Sequence, residues 1–118
     1  TGVTWACGEP GRRVRAGADT HTGNYREHNE DRVHLDARLP LALVLDGMGS
    51  QPQGERAAEL GATAICDYLY QYYSDTNGAA ALAAALRTAH DRIRAWQLED
   101  AGNRNSGTTV VAALVCEG

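Results

Sequence analysis

Residues 42–55 read ALVLDGMGSQPQGE, and this stretch decides how the rest of the chain is interpreted. An apolar run reaches from Leu41 to Leu45 and ends on a single carboxylate, Asp46. Five consecutive apolar residues predict a strand that is buried on both faces. Glycines follow at once, so the chain must turn sharply where the carboxylate leaves the core. An acid contributes little to stability there, and its position suits a carboxylate that faces a ligand.

Two long helices are predicted after the glycine turn, because apolar residues recur there at intervals of three and four. The first begins near Gln53 or Gly54, and its predicted buried face comprises Ala57, Ala58, Leu60, Ala64, Ile65, Tyr68, Leu69 and Tyr72. The second follows a turn at Asn77-Gly78 and ends near Trp96. Its predicted apolar stripe comprises Leu82, Leu86, Ala89, Ile93 and Trp96.

Further strands are predicted on both sides of the helices. The pattern half alternates from Val14 to about Thr22 and again, weakly, over residues 32–35, while TTVVAALV at 108–115 is a β-branched run. Residues 1–13 hold Gly and Pro at close intervals and predict a loosely ordered lead-in, with one domain over residues 14–118. This order predicts an α/β fold in which two long helices pack on one face of an antiparallel, incomplete sheet.

Length and composition exclude several classes of function. The chain has 118 residues, which is enough for one small domain. Its net charge of −4 gives no reason to expect nucleic acid or an anionic membrane as a partner. All 11 basic residues are arginine, so a Walker-type lysine, a Schiff base and a lysine nucleophile are excluded. No segment approaches the roughly 20 apolar residues of a membrane span.

The cysteines and histidines show no metal-binding or disulfide spacing. The cysteines are Cys7, Cys66 and Cys116. This odd, widely spaced set fits neither a disulfide framework nor a CxxC zinc pair, and with no signal-peptide pattern it predicts a reducing, cytoplasmic location. Cys66 and Cys116 are interpreted as small core residues. Surface or hydrogen-bonding roles are predicted for the histidines, which are His21, His28, His34 and His90.

Three acidic or glycine-rich elements carry the chemistry: NED at 29–31, DGMG at 46–49 and SGTT at 106–109. Carboxylates at chain turns, beside a glycine whose carbonyl can be approached closely, are the ligand set of a hard divalent cation. Two such ions can ionise a water and clamp a phosphoryl group that undergoes in-line attack. Arg26 lies four residues before Glu30, close enough to bind phosphate oxygens with its forked guanidinium.

In this order, the elements resemble the metal-dependent PPM (PP2C-like) serine/threonine protein phosphatases, bacterial type. The resemblance rests on GNYREHNEDR at 23–32, LALVLDGMGS at 41–50 with GE at 54–55, and SGTTVVAAL at 106–114. It covers roughly residues 17–58 and 106–115. It implies a layered β-sandwich flanked by helices, of which this chain holds only the N-terminal half: early strands, two long helices and one further strand.

The resemblance also implies an activity and its residues. The activity is hydrolysis of phosphoserine and phosphothreonine in proteins, by a water held between two Mn²⁺ or Mg²⁺ ions that attacks phosphorus directly. Asp46 would bridge the two ions, Gly47 would offer its carbonyl to one of them, and Glu30 would bind on the same side. Asp31 would hold waters bound to the ions, and Arg26 would bind the substrate phosphate. By the same resemblance, Thr108 and Thr109 would be structural.

Departures from the family pattern limit what the chain can do alone. Met48 stands where eukaryotic members have histidine, as is common in bacterial members, and Ser50 replaces a usual glycine. The family completes its metal site with later Asp-Gly and Asp-Asn motifs, and it has a Gly-Asp-Ser-Arg element. None of these follows within the sequence. The partners expected are therefore a phosphoprotein substrate and either the missing C-terminal half of the domain or a partner chain.

Simpler interpretations stay open at each position. Asp46 could be part of a strand-ending Asp-Gly turn. Glu30 and Asp31 could be solvated loop charges, and Arg26 could pair with Glu30 in a helix. For the whole chain, the alternative function is a non-catalytic PP2C-like module that regulates a partner or binds phosphoproteins. A structural domain without metal is a third possibility. The bare sheet also predicts that the chain associates with itself.

Overall fold

The computed structural model describes residues 2–7, 12–20, 31–49, 52–74 and 76–115, and it has the α/β order expected from the sequence. Its elements are β1 (Gly2–Cys7), β2 (Arg12–Gly17), β3 (Asp31–Leu35), β4 (Leu41–Met48), α1 (Gln53–Tyr72), α2 (Gly78–Glu99), a short 3₁₀ turn (Ala101–Asn103) and β5 (Gly107–Leu114). Neither helix has the length and apolar character that a membrane crossing needs, within the ranges described.

The strands form two small antiparallel sheets. β1 and β2 make a hairpin, and β4 lies between β3 and β5 in a three-stranded sheet. In the larger sheet, Leu45 lies opposite Arg32 on one side and opposite Val110 on the other. This register decides which residues share a face, because successive side chains of a strand point to opposite faces.

The inner face of the three-stranded sheet, turned towards the helices, holds the core. Leu41, Leu43 and Leu45 are fully buried there and cluster with Ile65 and Leu69 of α1. The other face, called here the outer face, carries the alternate residues of β4. The prediction that β4 is buried on both faces is wrong, since Val44 on the outer face is 48% exposed. No described helix or strand covers the outer face at this position. Only one side of the apolar run in β4 is therefore buried.

The first helix, α1, lies against all three strands of the larger sheet. Most of its predicted face is confirmed, and its buried residues are Gly54, Ala57, Ala58, Gly61, Ala64, Ile65, Cys66 and Leu69. Cys66 is thus a core residue, as expected. Tyr72 is exposed instead of buried, because it lies in the last turn of the helix and its ring packs beside Tyr68 at a centroid distance of 4.6 Å.

The second helix, α2, packs mainly along α1, and it does so with smaller residues than predicted. Ala81, Ala85 and Ala89, spaced four apart, are buried in the contact. Leu86 of the predicted stripe is exposed, and Leu82, Ile93 and Trp96 are half-buried. Small side chains at the contact let two helices approach closely, and the larger residues are then left on the flanks.

The N-terminal residues form a strand where the sequence predicted a loosely ordered lead-in. β1 pairs with β2 from Gly2 opposite Gly17 to Cys7 opposite Arg12. Trp5 is buried, and its indole Nε1–H donates a hydrogen bond of 2.6 Å to the carbonyl oxygen of Asp36. The partner of Trp5 lies 31 residues away, so no local pattern reveals it. The hairpin crosses the division predicted at residue 13, and the extent of the domain stays a prediction.

Candidate metal centre

The candidate metal centre is built on one row of the outer face. Asp31 of β3 lies directly opposite Asp46 of β4, and Thr109 of β5 lies opposite Asp46 on its other side. Residues paired in this way have Cβ atoms about 4.5–5.5 Å apart and point to the same face, and like charges in such a pair repel each other. A cation bound between the two carboxylates would remove that repulsion. Paired carboxylates are also the donors that Mg²⁺ and Mn²⁺ prefer, so these residues fit a divalent metal.

Side chains of β4 alternate between the two faces of the sheet, and this alternation places the Asp46 carboxylate on the outer face. Leu45 points into the core, and Asp46 therefore points to the outer face, where it is exposed. Its backbone N–H donates to Thr109 Oγ1 at 3.3 Å, and the Thr109 hydroxyl donates to the Asp46 carbonyl oxygen at 3.5 Å. These contacts hold the main chain at Asp46 against β5. The structural role that the family resemblance implies for Thr108 and Thr109 stays a prediction.

The turn after the carboxylate is fixed by the third sequence motif. Gly49 has a φ of 133°, a conformation that favours glycine. A Cβ atom at this position would collide with the Oγ, Cβ and Cα atoms of Ser106. Ser106 is itself buried, and its carbonyl accepts a hydrogen bond of 2.7 Å from Gln97 Nε2. The DGMG and SGTT motifs are therefore packed on each other, and only glycine fits between them.

An ion pair links the first and second motifs on the inner side of the sheet. Arg32 Nη2 lies 3.0 Å from Glu55 Oε1, and both side chains are about one-third exposed. Arg32 follows Asp31 in β3, and Glu55 lies in the first turn of α1, where a carboxylate also interacts favourably with the helix dipole. Sequence reasoning missed this pair. One sequence signal was available. Arg32 ends the stretch NEDR and Glu55 ends GE, and both stretches had been interpreted only as metal ligands or as markers of the family.

The structure describes only part of the predicted site. It brings Asp31 and Asp46 together and places Gly47 next to them, buried in β4 opposite Thr108. Arg26 and Glu30 lie outside the described residues, so their positions relative to the carboxylates stay predictions.

Comparison with known families decides the membership of the chain. The family model for protein phosphatase 2C matches residues 20–118. The chain belongs to the protein phosphatase 2C family. The resemblance drawn from three short motifs is thereby confirmed, and the match includes both helices and β5 as well as the motifs.

Solved structures of this family share the fold. The serine/threonine phosphatase PstP/Ppp of Mycobacterium tuberculosis is 31% identical with a TM-score of 0.73, over 81% of this chain and 40% of that one. A PstP catalytic domain in complex with two manganese ions is 30% identical with a TM-score of 0.73, over 82% of this chain and 41% of that one. The PPM Ser-Thr phosphatase MsPP of Mycobacterium smegmatis, in complex with cacodylate, is 25% identical with a TM-score of 0.70, over 84% and 38%.

The chain therefore spans about 40% of the length of the phosphatases that it resembles. No match was found among curated protein sequences. The predicted fold class is confirmed: the chain has the α/β arrangement of this family, with two helices and two small antiparallel sheets.

Proposed function

We propose that this chain supplies part of a two-metal active site that hydrolyses phosphoserine and phosphothreonine in proteins. The observation that carries the proposal is the register of β3 and β4, which sets Asp31 beside Asp46 on an open face. Two facing carboxylates offer oxygen ligands to one cation, which would also reduce the repulsion between them. The proposal is also supported by PstP, a serine/threonine phosphatase with a structure that contains two manganese ions.

Each described residue of the site has a distinct task in this proposal. Asp46 and the carbonyl oxygen of Gly47 would hold the metal ions. Asp31 would orient metal-bound water, and its place in β3 keeps it in register with Asp46. When bound, two Mn²⁺ or Mg²⁺ ions supply an activated water and neutralise the charge that develops on the phosphoryl oxygens. Thr109 keeps the Asp46 main chain in place through its two hydrogen bonds.

Two further residues are assigned from the sequence. Glu30 precedes Asp31 and adds a carboxylate to the metal ligands. Arg26 binds the substrate phosphate, since a guanidinium can contact two phosphate oxygens at once. Met48, in the position where eukaryotic members have histidine, favours a phosphatase of bacterial type. The odd, widely spaced cysteine set favours a cytoplasmic location, where the substrates would be intracellular phosphoproteins.

In this proposal, the chain holds only part of the active site. The chain spans about 40% of its structural relatives, and Val111 on the outer face is 69% exposed. We propose that the remaining part of the domain, or a partner chain, covers this face and supplies the further metal ligands. The reading frame after Gly118 offers a direct observation: later Asp-Gly and Asp-Asn motifs would support the enzyme, and their absence would favour a non-catalytic phosphoprotein-binding or regulatory module.

A metal titration tests the proposal on the chain itself. Mn²⁺ binding is measured by calorimetry for the unchanged chain, for Asp46→Asn and for Asp91→Asn, a matched control because Asp91 is an exposed carboxylate of α2. We expect Asp46→Asn to weaken Mn²⁺ binding about tenfold or more and Asp91→Asn to leave it unchanged. Equal binding by all three chains would overturn the proposal.

Hydrolysis of a small aryl phosphate then distinguishes a chain that is active by itself from a chain that holds only part of the active site. Activity that needs Mn²⁺ and disappears with EDTA or in Asp46→Asn would show that a working centre assembles from this chain. Metal binding that depends on Asp46 without any hydrolysis would show a centre that needs the rest of its domain. Hydrolysis that persists in both EDTA and Asp46→Asn would contradict the assigned mechanism.

A further inference from the structure

A second group of metal-binding side chains lies away from the carboxylate row. One ring nitrogen of His34, one carboxylate oxygen of Asp36 and the Sγ of Cys66 all lie within 4.8 Å of one another. These three residues, called here the His34–Asp36–Cys66 cluster, offer nitrogen, oxygen and sulphur, the three donor types that bind Zn²⁺ in proteins. None of them takes part in the proposed phosphatase site.

The fold brings these residues together from three elements. His34 lies in β3 opposite Leu43, Asp36 comes directly after β3, and Cys66 lies on the buried side of α1. His34 Nε2 is 3.2 Å from Asp36 Oδ2. Asp36 is only 3% exposed and Cys66 only 8%, whereas the His34 side chain is 38% exposed. The cluster is thus buried on two sides and reachable from solvent along the histidine.

The carboxylate at the centre of the cluster is already oriented by its neighbours. Asp36 Oδ1 accepts hydrogen bonds of 2.8 Å from the backbone N–H groups of Arg38 and Leu39. The hydroxyl of Tyr70 donates to Oδ2, and Trp5 donates to the Asp36 carbonyl oxygen. Hydrogen bonds of this kind fix the orientation of a ligating carboxylate in metal sites. Oδ2 is consequently held where it faces His34.

The thiol is protonated when no metal is bound. Burial raises the pKa of Cys66 to about 11, and the negative charges of Asp36 and Asp67 act in the same direction. A divalent cation bound to the sulphur would reverse this balance, because it favours the thiolate.

We propose that the His34–Asp36–Cys66 cluster binds one Zn²⁺ ion. The ligands are His34 Nε2, Asp36 Oδ2 and Cys66 Sγ, and water completes the shell on the exposed side of His34. On binding, the Cys66 thiol releases its proton to solvent. Zinc takes the place of the proton that His34 Nε2 shares with Asp36 Oδ2. That proton passes to solvent, and neutral His34 carries its one ring proton on Nδ1 while Nε2 binds zinc. The two anionic ligands balance the charge of the ion.

The geometry favours zinc over the ions proposed for the phosphatase site. Tetrahedral Zn²⁺ with bonds of about 2.0–2.3 Å sets its ligand atoms roughly 3.3–3.6 Å apart. The 3.2 Å between His34 Nε2 and Asp36 Oδ2 is close to this spacing, and the sulphur of Cys66 lies within 4.8 Å of its two partners. Mg²⁺ and Mn²⁺ prefer oxygen ligands, so a thiolate and an imidazole select against them.

The zinc site is separate from the carboxylate row and independent of the proposed function. Asp31 and Leu35 mark the two ends of β3, and four residues of strand span about 14 Å. Asp36 lies beyond the far end. A zinc ion there would join β3, the turn before β4 and α1, which is a structural task at the end of the sheet opposite the phosphatase residues.

Cobalt serves as a spectroscopic probe for this site. Co²⁺ bound to a thiolate gives a charge-transfer band in the near ultraviolet, which cobalt bound only to carboxylates does not give. The sequence has three cysteines, so the Cys7→Ser/Cys116→Ser double variant leaves Cys66 as its one thiol. In that variant we expect the band at one equivalent of Co²⁺ and its loss on addition of Zn²⁺. Asp46→Asn, introduced on the same background, should keep the band.

Two ligand variants complete the test. Cys66→Ser should abolish the band, and His34→Gln should weaken Zn²⁺ binding about tenfold or more. His34 is partly exposed, so its variant keeps the test meaningful if Cys66→Ser fails to fold. The proposal is overturned if the double variant shows no thiolate band at stoichiometric Co²⁺, or if His34→Gln binds Zn²⁺ as tightly as the unchanged chain.

Discussion

Asp31 and Asp46 lie directly opposite each other on neighbouring antiparallel strands, on the face of the sheet turned away from the helices. Two negative charges at this spacing weaken the pairing of β3 and β4 in the absence of a cation. A bound metal ion would offset this repulsion and stabilise the fold, because the ion would bind to the folded site and not to separated carboxylates.

This relationship predicts opposite effects of Asp46→Asn with and without metal. In EDTA, the variant should be as stable as the unchanged chain or more stable by about 0.2–1 kcal/mol, because the repulsion is removed. With Mn²⁺ in excess, the unchanged chain should gain stability and the variant should gain much less. Thermal unfolding followed by circular dichroism measures both. A variant that is strongly destabilised in EDTA would contradict this account of the pair.

Gly49→Ala should destabilise the chain by about 1–3 kcal/mol, since φ at this position is 133° and the new Cβ would collide with Ser106. Gly102→Ala is the matched control. The nearest atom to a Cβ at Gly102, Asp100 Oδ1, lies at an ordinary contact distance of 3.4 Å. Urea unfolding of the two variants should separate them clearly. Equal stabilities would mean that the DGMG turn does not depend on glycine at this position.

The parts of the fold that were predictable from sequence are those with strong local patterns. β4 ends its apolar run on a carboxylate, and α1 repeats apolar residues at helical spacing, so both were placed correctly. The burial of β4 on one face only was not predictable, because a run such as Leu41–Leu45 has the same composition whether or not the second face is covered. α2 was located correctly, but most of its buried residues were not. Alanine at the contact with α1 is less hydrophobic than leucine on the flank, so the apolar pattern pointed to the leucines.

Long-range contacts account for most of what the sequence did not reveal. Trp5 is fixed by a carbonyl 31 residues away, and Arg32 pairs with a glutamate 23 residues away. His34 and Cys66 carry no motif spacing, so a shared metal could not be proposed before the strand and the helix were seen side by side. The two carboxylates of the candidate site were predicted as ligands, but their register depends on the pairing of β3 with β4 and not on spacing along the chain.

Trp5→Phe should lower the free energy of unfolding by about 1–3 kcal/mol, because the buried carbonyl of Asp36 loses its hydrogen bond to the indole. Phenylalanine keeps most of the apolar contact, so the loss reports mainly on the hydrogen bond. Trp96→Phe, at a half-buried position of α2, is the control and should have a smaller effect. Denaturant unfolding of both variants measures the difference. If Trp5→Phe were the milder of the two, the hairpin would not be anchored through this bond.

The Arg32–Glu55 ion pair should contribute modestly to stability. Both side chains are about one-third exposed, so solvent screening limits the coupling to about 0.2–1 kcal/mol, and high salt should reduce it. A double-mutant cycle with Arg32→Gln and Glu55→Gln measures the coupling. The exposed pair of Arg56 and Glu59, an i,i+3 pair at 3.4 Å, is the comparison and should couple more weakly. A larger coupling for the exposed pair would show that the cross-element contact does not hold β3 to α1.

The outer face of the sheet should drive association of this chain. Val33, Val44 and Val111 form one apolar row across the three strands, and Val111 is 69% exposed. The Val44→Thr/Val111→Thr double variant keeps the β-branched shape that suits a strand but lowers the apolar area. We expect it to weaken self-association about tenfold or more in sedimentation velocity over a range of chain concentrations.

Leu98→Thr is the matched control for this last prediction, because Leu98 is also 69% exposed but lies on α2, away from the sheet. It should leave the association unchanged, which would separate a specific effect of the outer face from a general loss of apolar surface. A monodisperse monomer at every concentration of the unchanged chain would contradict the prediction. If Leu98→Thr weakened association equally, the association would not be specific to the outer face. The proposal that the rest of the domain or a partner chain covers that face would then lose this support.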